Sequence, residues 1–209
     1  PPILAGGRDE WVVKQLRELY PALPLQRLSG GRGGGERQQT VWAVLGDSPV
    51  AIEQLGDGIQ SAFRALSLLS LLPAGLFLWD EPEDHQHPDA LSGLMRVLIQ
   101  VLRERPMLQA VIATQSREVL GSILEATLHR EELRRWAENA CSVAFLMLDL
   151  RDGTLYAERI SFEELRLMES VDVDIRKLWR GRRIREPREI PRELLEQLLA
   201  SPGGSRPSS

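Results

Sequence analysis

Lysine is nearly absent from this chain of 209 residues: of 26 basic residues only Lys14 and Lys177 are lysines, and the other 24 are arginines. Any chemistry that needs a lysine is confined to those two positions. Cysteine is as scarce. The one cysteine, Cys141, excludes an intramolecular disulfide framework and a cysteine-built zinc site. It lies in an apolar run and reads as a core residue. Long hydrophobic runs are missing too. The longest, Leu66 to Trp79, is interrupted by Ser70, Pro73 and Gly75 and falls short of the about 20 residues a membrane helix needs. No charged segment followed by an apolar one opens the chain, so the expectation is a soluble, cytoplasmic protein without a membrane partner. An excess of positive charge is lacking as well: the net charge is −4, which gives no chain-wide drive toward nucleic acid. At 43% hydrophobic and 27% charged the composition is that of a globular domain.

Apolar periodicity then orders the chain. Asp9 to Tyr20 reads as a helix with Trp11, Val12, Leu16 and Leu19 on one face and Asp9 as its cap. Leu23 to Leu28 and Gln39 to Leu45 read as strands around a glycine-rich loop, Gly30 to Gly35, and a turn follows at Gly46-Asp47-Ser48-Pro49. Leu55-Gly56-Asp57-Gly58 runs into a helix with the stripe Ile59, Ala62, Phe63, Leu66 and Leu69. Leu76-Phe77-Leu78-Trp79 has no polar alternation, which predicts a strand buried on both faces, as in a parallel sheet. A helix from Pro88 carries Leu91, Leu94, Met95, Leu98, Ile99 and Leu102. Leu108 to Ala113 is a second apolar strand, and Arg117 to Glu138 is helical. Ser142 to Leu148 and Leu155 to Ile160 flank an Arg151-Asp152-Gly153-Thr154 turn, a hairpin signal. Ser161 with Glu164 forms a capping box for a last helix. The Ser/Pro/Gly-rich stretch 201–209 reads as disordered. Helix, apolar strand, helix, apolar strand is the βαβ pattern of an α/β domain.

The apolar strand runs into Asp80-Glu81-Pro82. In nucleotide hydrolases an acid at the end of such a strand holds Mg²⁺, and the next acid polarises the water that attacks the γ-phosphate. The bland alternative is a strand that ends in acidic turn residues. Upstream, Gly56 and Gly58 at a helix start let backbone approach an anion, and the helix end adds free N–H groups and partial positive charge. By itself that motif reads equally as a capped turn.

The order Leu55-Gly56-Asp57-Gly58-Ile59-Gln60, Leu78-Trp79-Asp80-Glu81-Pro82-Glu83, His87-Pro88 and Ile112-Ala113-Thr114-Gln115-Ser116 resembles ABC-type ATPases. It is most similar to the soluble OLD-like and structural-maintenance-of-chromosomes-like branch, whose members are called AAA-type ATP-binding proteins. The match covers about Ala51 to Leu120, and extends weakly to 161–176. The resemblance implies a P-loop NTPase-like C-terminal lobe of mostly parallel buried strands with flanking helices, then a hairpin and a helix. It divides the chain into 1–50, the end of an N-terminal lobe; 51–178, the lobe with signature, Walker B, D-loop and switch; and 179–209, a basic helix and tail. It implies ATP and Mg²⁺ as cofactors, with Asp80 as the metal acid and Glu81 as general base. Leu55, Gly56, Asp57 and Gly58 form the signature loop, Glu83 to Pro88 a D-loop at a dimer seam, and Gln115 stands at the switch. The implied partners are a second copy or a chain supplying a Walker A loop, and an effector protein, in settings such as DNA repair or phage defence.

Three features depart from that family. Neither lysine sits in a GxxxxGK[ST] loop, because Lys14 follows Val13 and Lys177 follows Arg176. The chain then reads as half of an ATPase, a reading that Pro1-Pro2 without an initiator Met favours. Gln115 replaces the switch histidine and carries neither a proton to transfer nor a charge. Gly56 replaces the signature serine. These departures keep open a catalytically silent ABC-like regulatory subunit. Leu28-Ser29-Gly30-Gly31 spells the transporter signature but feeds a strand rather than a helix, and reads as a hairpin loop. Asp84, His85 and His87 lack a third histidine-type ligand and make a weak metal site. His129 beside Arg130 suits a helix C-terminus. The arginines from Arg176 to Arg185 are the one patch that could meet nucleic acid, but interleaved Glu186, Glu189, Glu193 and Glu196 favour a solvated face.

Overall fold

The computed structural model describes residues 7–32, 39–128, 131–138, 143–151, 153–162 and 165. Cys141, His129, the arginine patch, Glu164 and the stretch 201–209 lie outside them. The chain divides into two compact units, to Leu133 and from Arg134. Among the described residues no helix is long and apolar enough to cross a membrane.

The first unit opens with α1 (Arg8–Leu19), whose Val12, Val13 and Leu16 are buried at helical spacing. Asp9 does not cap it. Gly7, in the left-handed region at φ 73°, takes the cap position, and Asp9 lies inside the first turn, where its charge still complements the helix dipole. An antiparallel sheet follows: β1 (Leu25–Arg32), β2 (Gln39–Leu45) and β3 (Ser48–Ala51), in that order. The expected turn at residues 46–49 is shorter than its sequence implies. Gly46-Asp47 alone makes it, and Ser48 already pairs with Leu45; Pro49 is tolerated because β3 is the edge strand. The reading of Leu28 to Gly31 as a loop is also corrected. Strand β1 continues through them, pairing Ser29 with Trp42 and Gly31 with Thr40. A side chain at Gly31 would place its Cβ 2.9 Å from Trp42 Nε1, so glycine serves packing under the indole rather than a turn.

Past a short 3₁₀ turn (Ile52–Gln54) come α2 (Asp57–Leu71), β4 (Gly75–Asp80), α3 (Pro88–Glu104) and β5 (Leu108–Ala113). Strands β4 and β5 pair in parallel from Gly75↔Leu108 to Asp80↔Ala113, so β4, α3 and β5 form the expected βαβ unit. Leu66, Leu69, Leu94, Met95 and Leu98 fill the core around it. The α2 C-terminus has no basic residue of its own. Arg105, following α3, supplies one: its Nη1 donates to the carbonyls of Leu69 and Leu72, the latter at 2.8 Å. Arg105→Ala should therefore lower stability by about 1–2 kcal/mol, read as a lower Tm in thermal melting.

The expectation of strands buried on both faces does not hold for β4 and β5. Phe77 and Leu108 are each 4% exposed, whereas Leu76 is 53%, Leu78 68% and Val111 55% exposed. The two faces separate by register. Phe77, Leu108 and Ala110 point to the core, while Leu76, Leu78, Asp80, Val111 and Ala113 share a face that the described residues leave open. Continuous apolarity reported that both faces can be covered, not that the described residues cover both. The mixed α/β class is as expected, but the other strands pair antiparallel.

Of the helix expected over Arg117 to Glu138, the described residues show α4 (Arg117–Leu128) and α5 (Glu131–Glu138); α4 packs on α3. In the second unit β6 (Phe145–Arg151) and β7 (Thr154–Ile160) form the expected hairpin. The Phe145 and Phe162 rings meet at 6.4 Å on one side, and Leu146, Leu148, Leu150 and Leu155 are exposed on the other.

Candidate nucleotide-binding site

The site grows from the C-terminal ends of two parallel strands, where side chains of adjacent strands converge on one edge. Asp80 is the last residue of β4, exposed, on the same open face as Leu76, Leu78 and Val111. Glu81 is exposed and turns out of the strand with φ 48°, a left-handed conformation uncommon outside glycine. Two bonds hold it there. Its N–H donates to Ala113 O at 2.8 Å, and its carbonyl accepts from Asp84 N at 3.0 Å. Gln115, just beyond β5, brings its Nε2 to 3.5 Å from Glu81 Oε1, the long limit of a hydrogen bond. The structure thus brings together the two residues assigned catalytic roles from sequence.

The next layer pins this edge. Thr114 Oγ1 donates to Glu83 Oε1 at 2.7 Å and accepts from Ser116 N at 2.9 Å. Ser116 Oγ in turn accepts from Glu118 N at 3.1 Å, capping α4. Glu83 Oε2 is buried with no hydrogen-bond partner among the described residues. His87 is committed to structure: its Nδ1 accepts from Asp89 N at 3.3 Å, with Pro88 as the first helical residue. Among the described residues no three His, Cys, Asp or Glu side chains gather as a metal cluster, so Asp84, His85 and His87 do not make one. A magnesium ion, held by one or two carboxylates plus phosphates and water, needs no such cluster, and Asp80 fits that mode.

At the start of α2, Gly56 occupies the cap position and no side chain caps the helix. Among the described residues, its first N–H groups are therefore without a side-chain cap and can meet an anion. Space is open around Gly56. Gly58 is different. A Cβ there would lie 2.5 Å from His85 O, so its missing side chain admits the loop after β4. Leu55 is fixed through its carbonyl, which accepts from Gln60 Nε2 at 2.8 Å. Asp57 is the first helical residue, an anion beside the amides it would share with a phosphate.

Sequence reading missed Tyr20, and placed Gln86 in the D-loop without any contact of its own. Tyr20 Oη lies 3.0 Å from Gly58 O and 2.8 Å from Gln86 Oε1, and Gln86 Nε2 donates to Gly58 O at 2.9 Å. No motif signals these contacts, because Tyr20 follows a helix distant in sequence. Burial raises the Tyr20 hydroxyl from 10.0 to about 12. The neutral phenol is therefore favoured in the folded state. That contribution to stability is complete below pH 10 and is lost as pH rises towards about 12.

A family model described as "AAA domain, putative AbiEii toxin, Type IV TA system" matches residues 16–121, half of the chain. The chain belongs to this AAA family. The matched segment holds every element of the site, from Tyr20 through Gly58, Asp80 and Glu81 to Gln115. No curated protein matches the chain. Among solved structures, the AAA chain is similar to one from work on ATP-driven dimerization and DNA-stimulated activation of SMC ATPases. The identity is 13% and the TM-score 0.49, over 79% of this chain and 93% of that one. It is similar to the Smc head domain with an extended coiled coil bound to the C-terminal domain of ScpA from Pyrococcus furiosus (14%, TM-score 0.49, 78% of this chain). A third is the Smc head with a coiled coil and joint from Pyrococcus yayanosii (15%, TM-score 0.49, 78% of this chain). The chain spans 38% and 29% of those two structures.

Proposed function

We propose that this AAA chain is the signature and Walker B lobe of an ABC-type ATPase that closes around MgATP as a dimer, or with a partner chain, to drive an effector. One observation carries this reading: Asp80 shares its sheet face with uncovered Leu76, Leu78 and Val111. An element that buries those side chains necessarily arrives beside Asp80 and Glu81. The lobe that bears the phosphate-binding lysine is the occupant this chemistry calls for, since the stretch from Leu55 to Ser116 contains no lysine.

In that assembly Asp80 holds Mg²⁺, which when bound neutralises charge on the transferred phosphoryl group. Glu81, already aimed out of the strand by its left-handed backbone, accepts the proton of the attacking water. The N-terminal amides of α2, with Gly56 and Gly58, face the phosphates of the nucleotide held opposite. Glu83 and His87 shape the loop at the seam. The toxin of the family description is one setting for the effector.

A second reading, a silent regulatory subunit, is favoured by Gln115, whose amide reaches Glu81 but neither takes up a proton nor carries charge. Steady-state ATP turnover of the chain together with a Walker A–bearing partner decides between the two. An active site limited by its switch should gain roughly tenfold in turnover from Gln115→His. Zero turnover in both forms, with partner binding retained, supports the silent subunit.

A further inference from the structure

The Tyr20 contacts join three segments: the end of α1, the first turn of α2 and the loop between β4 and α3. A phenol has one proton, so Tyr20 donates either to Gly58 O or to Gln86 Oε1, at 3.0 and 2.8 Å. The Gln86 amide donates to the same Gly58 carbonyl at 2.9 Å, so that carbonyl stays bonded in either arrangement. The loop backbone is seated against the helix at the same point, with His85 O facing the Cα of Gly58 and His85 itself at φ 62°. From there the loop is internally braced back to the site. Gln86 N donates to Glu83 O and Asp84 N to Glu81 O, each at 3.0 Å, and Thr114 fixes the Glu83 carboxylate.

We infer that Tyr20 and Gln86 are positioning residues that clamp the first turn of α2 to the loop carrying Glu81, so that the two move as one body. What the clamp is used for rests on the nucleotide reading above: a shift at the anion-facing end of α2 reaches Glu81 through hydrogen-bonded backbone. A side chain that only stabilised the fold would influence all elements alike. A clamp acts on two named segments.

Amide hydrogen exchange on the full chain, without nucleotide, separates these cases. Tyr20→Phe should speed exchange about fivefold at Ile59, Gln60, Asp84 and Gln86, whose amides are bonded within the two segments, and leave Leu98 and Ile99 of α3 unchanged. Gln86→Leu should do the same, and the double variant should add little to Gln86→Leu. Equal acceleration in α3, no change at Asp84 and Gln86, or additive effects would overturn the clamp. A second arm adds MgATP to the chain with its Walker A–bearing partner. Slowing at Ile59 and Gln60 that extends to Asp84 and Gln86 in the wild type, but not in Tyr20→Phe, supports the clamp; equal extension in both overturns it. Absence of any slowing in the wild type refutes the nucleotide reading instead, and the nucleotide-free exchange then decides the clamp.

Discussion

Glu81→Gln should reduce ATP turnover of the completed assembly by ~100-fold or more while nucleotide binding persists, the size expected when a general base loses its basicity. The substitution keeps the side chain's length and its ability to pair with Gln115, which now lies at 3.5 Å from Oε1. The bonds that turn residue 81 outward are backbone bonds to Ala113 and Asp84, so the variant preserves the geometry and removes only the proton acceptor. Turnover measured alongside nucleotide affinity makes the test. Unchanged turnover would show that another group activates the water. Asp80→Asn should instead weaken Mg²⁺-dependent binding, because the proposed function gives its carboxylate the metal. Zero turnover in the wild type, with partner binding retained, would mark the silent subunit instead.

Gly58→Ala should be the most damaging small substitution in the signature loop. The added Cβ would meet His85 O at 2.5 Å, a backbone atom in a loop braced through Glu81, Glu83 and Gln86, so relief requires the backbone to move. Overpacking of this kind costs about 1–3 kcal/mol. Alanine in a helix offsets up to about 1 kcal/mol, and less in the first turn, where Gly58 lies. The clash therefore wins, and Tm should fall by roughly 3–10 °C for a chain of this size. Gly56→Ala is the control. A Cβ added at Gly56 would meet no atom within 4 Å, and the backbone there has φ −60°, so Tm should stay put. Equal Tm for the two variants would show that the loop after β4 does not seat on Gly58. A fall in nucleotide affinity for Gly56→Ala, with Tm unchanged, would mark Gly56 as the glycine that faces phosphate.

The apolar run before Asp80 and Glu81 could equally have ended in plain acidic turn residues, and it was the order of motifs around it, resembling ABC-type ATPases, that singled out both acids and Gln115. The order of α2, β4, α3 and β5 follows from apolar spacing alone, which is a local property of the chain. The glycines were less legible. Gly31 in β1 looked like a turn residue, and only the position of Trp42 shows that it admits an indole. In sequence Gly58 reads only as backbone that approaches phosphate, and the structure adds a second need for glycine there, because an added Cβ would meet His85 O.

By itself, then, the sequence determined the α/β class, the acids at the end of β4 and the confinement of lysine to Lys14 and Lys177. Tertiary structure decided what depends on contacts between distant segments. It placed Tyr20 against Gly58 and Gln86, drew Gln115 to Glu81, and left Leu76, Leu78 and Val111 exposed beside Asp80. The reason is physical. Periodicity encodes which faces are apolar, but burial and hydrogen bonding need a partner surface, and the identity of that surface is written in no local pattern.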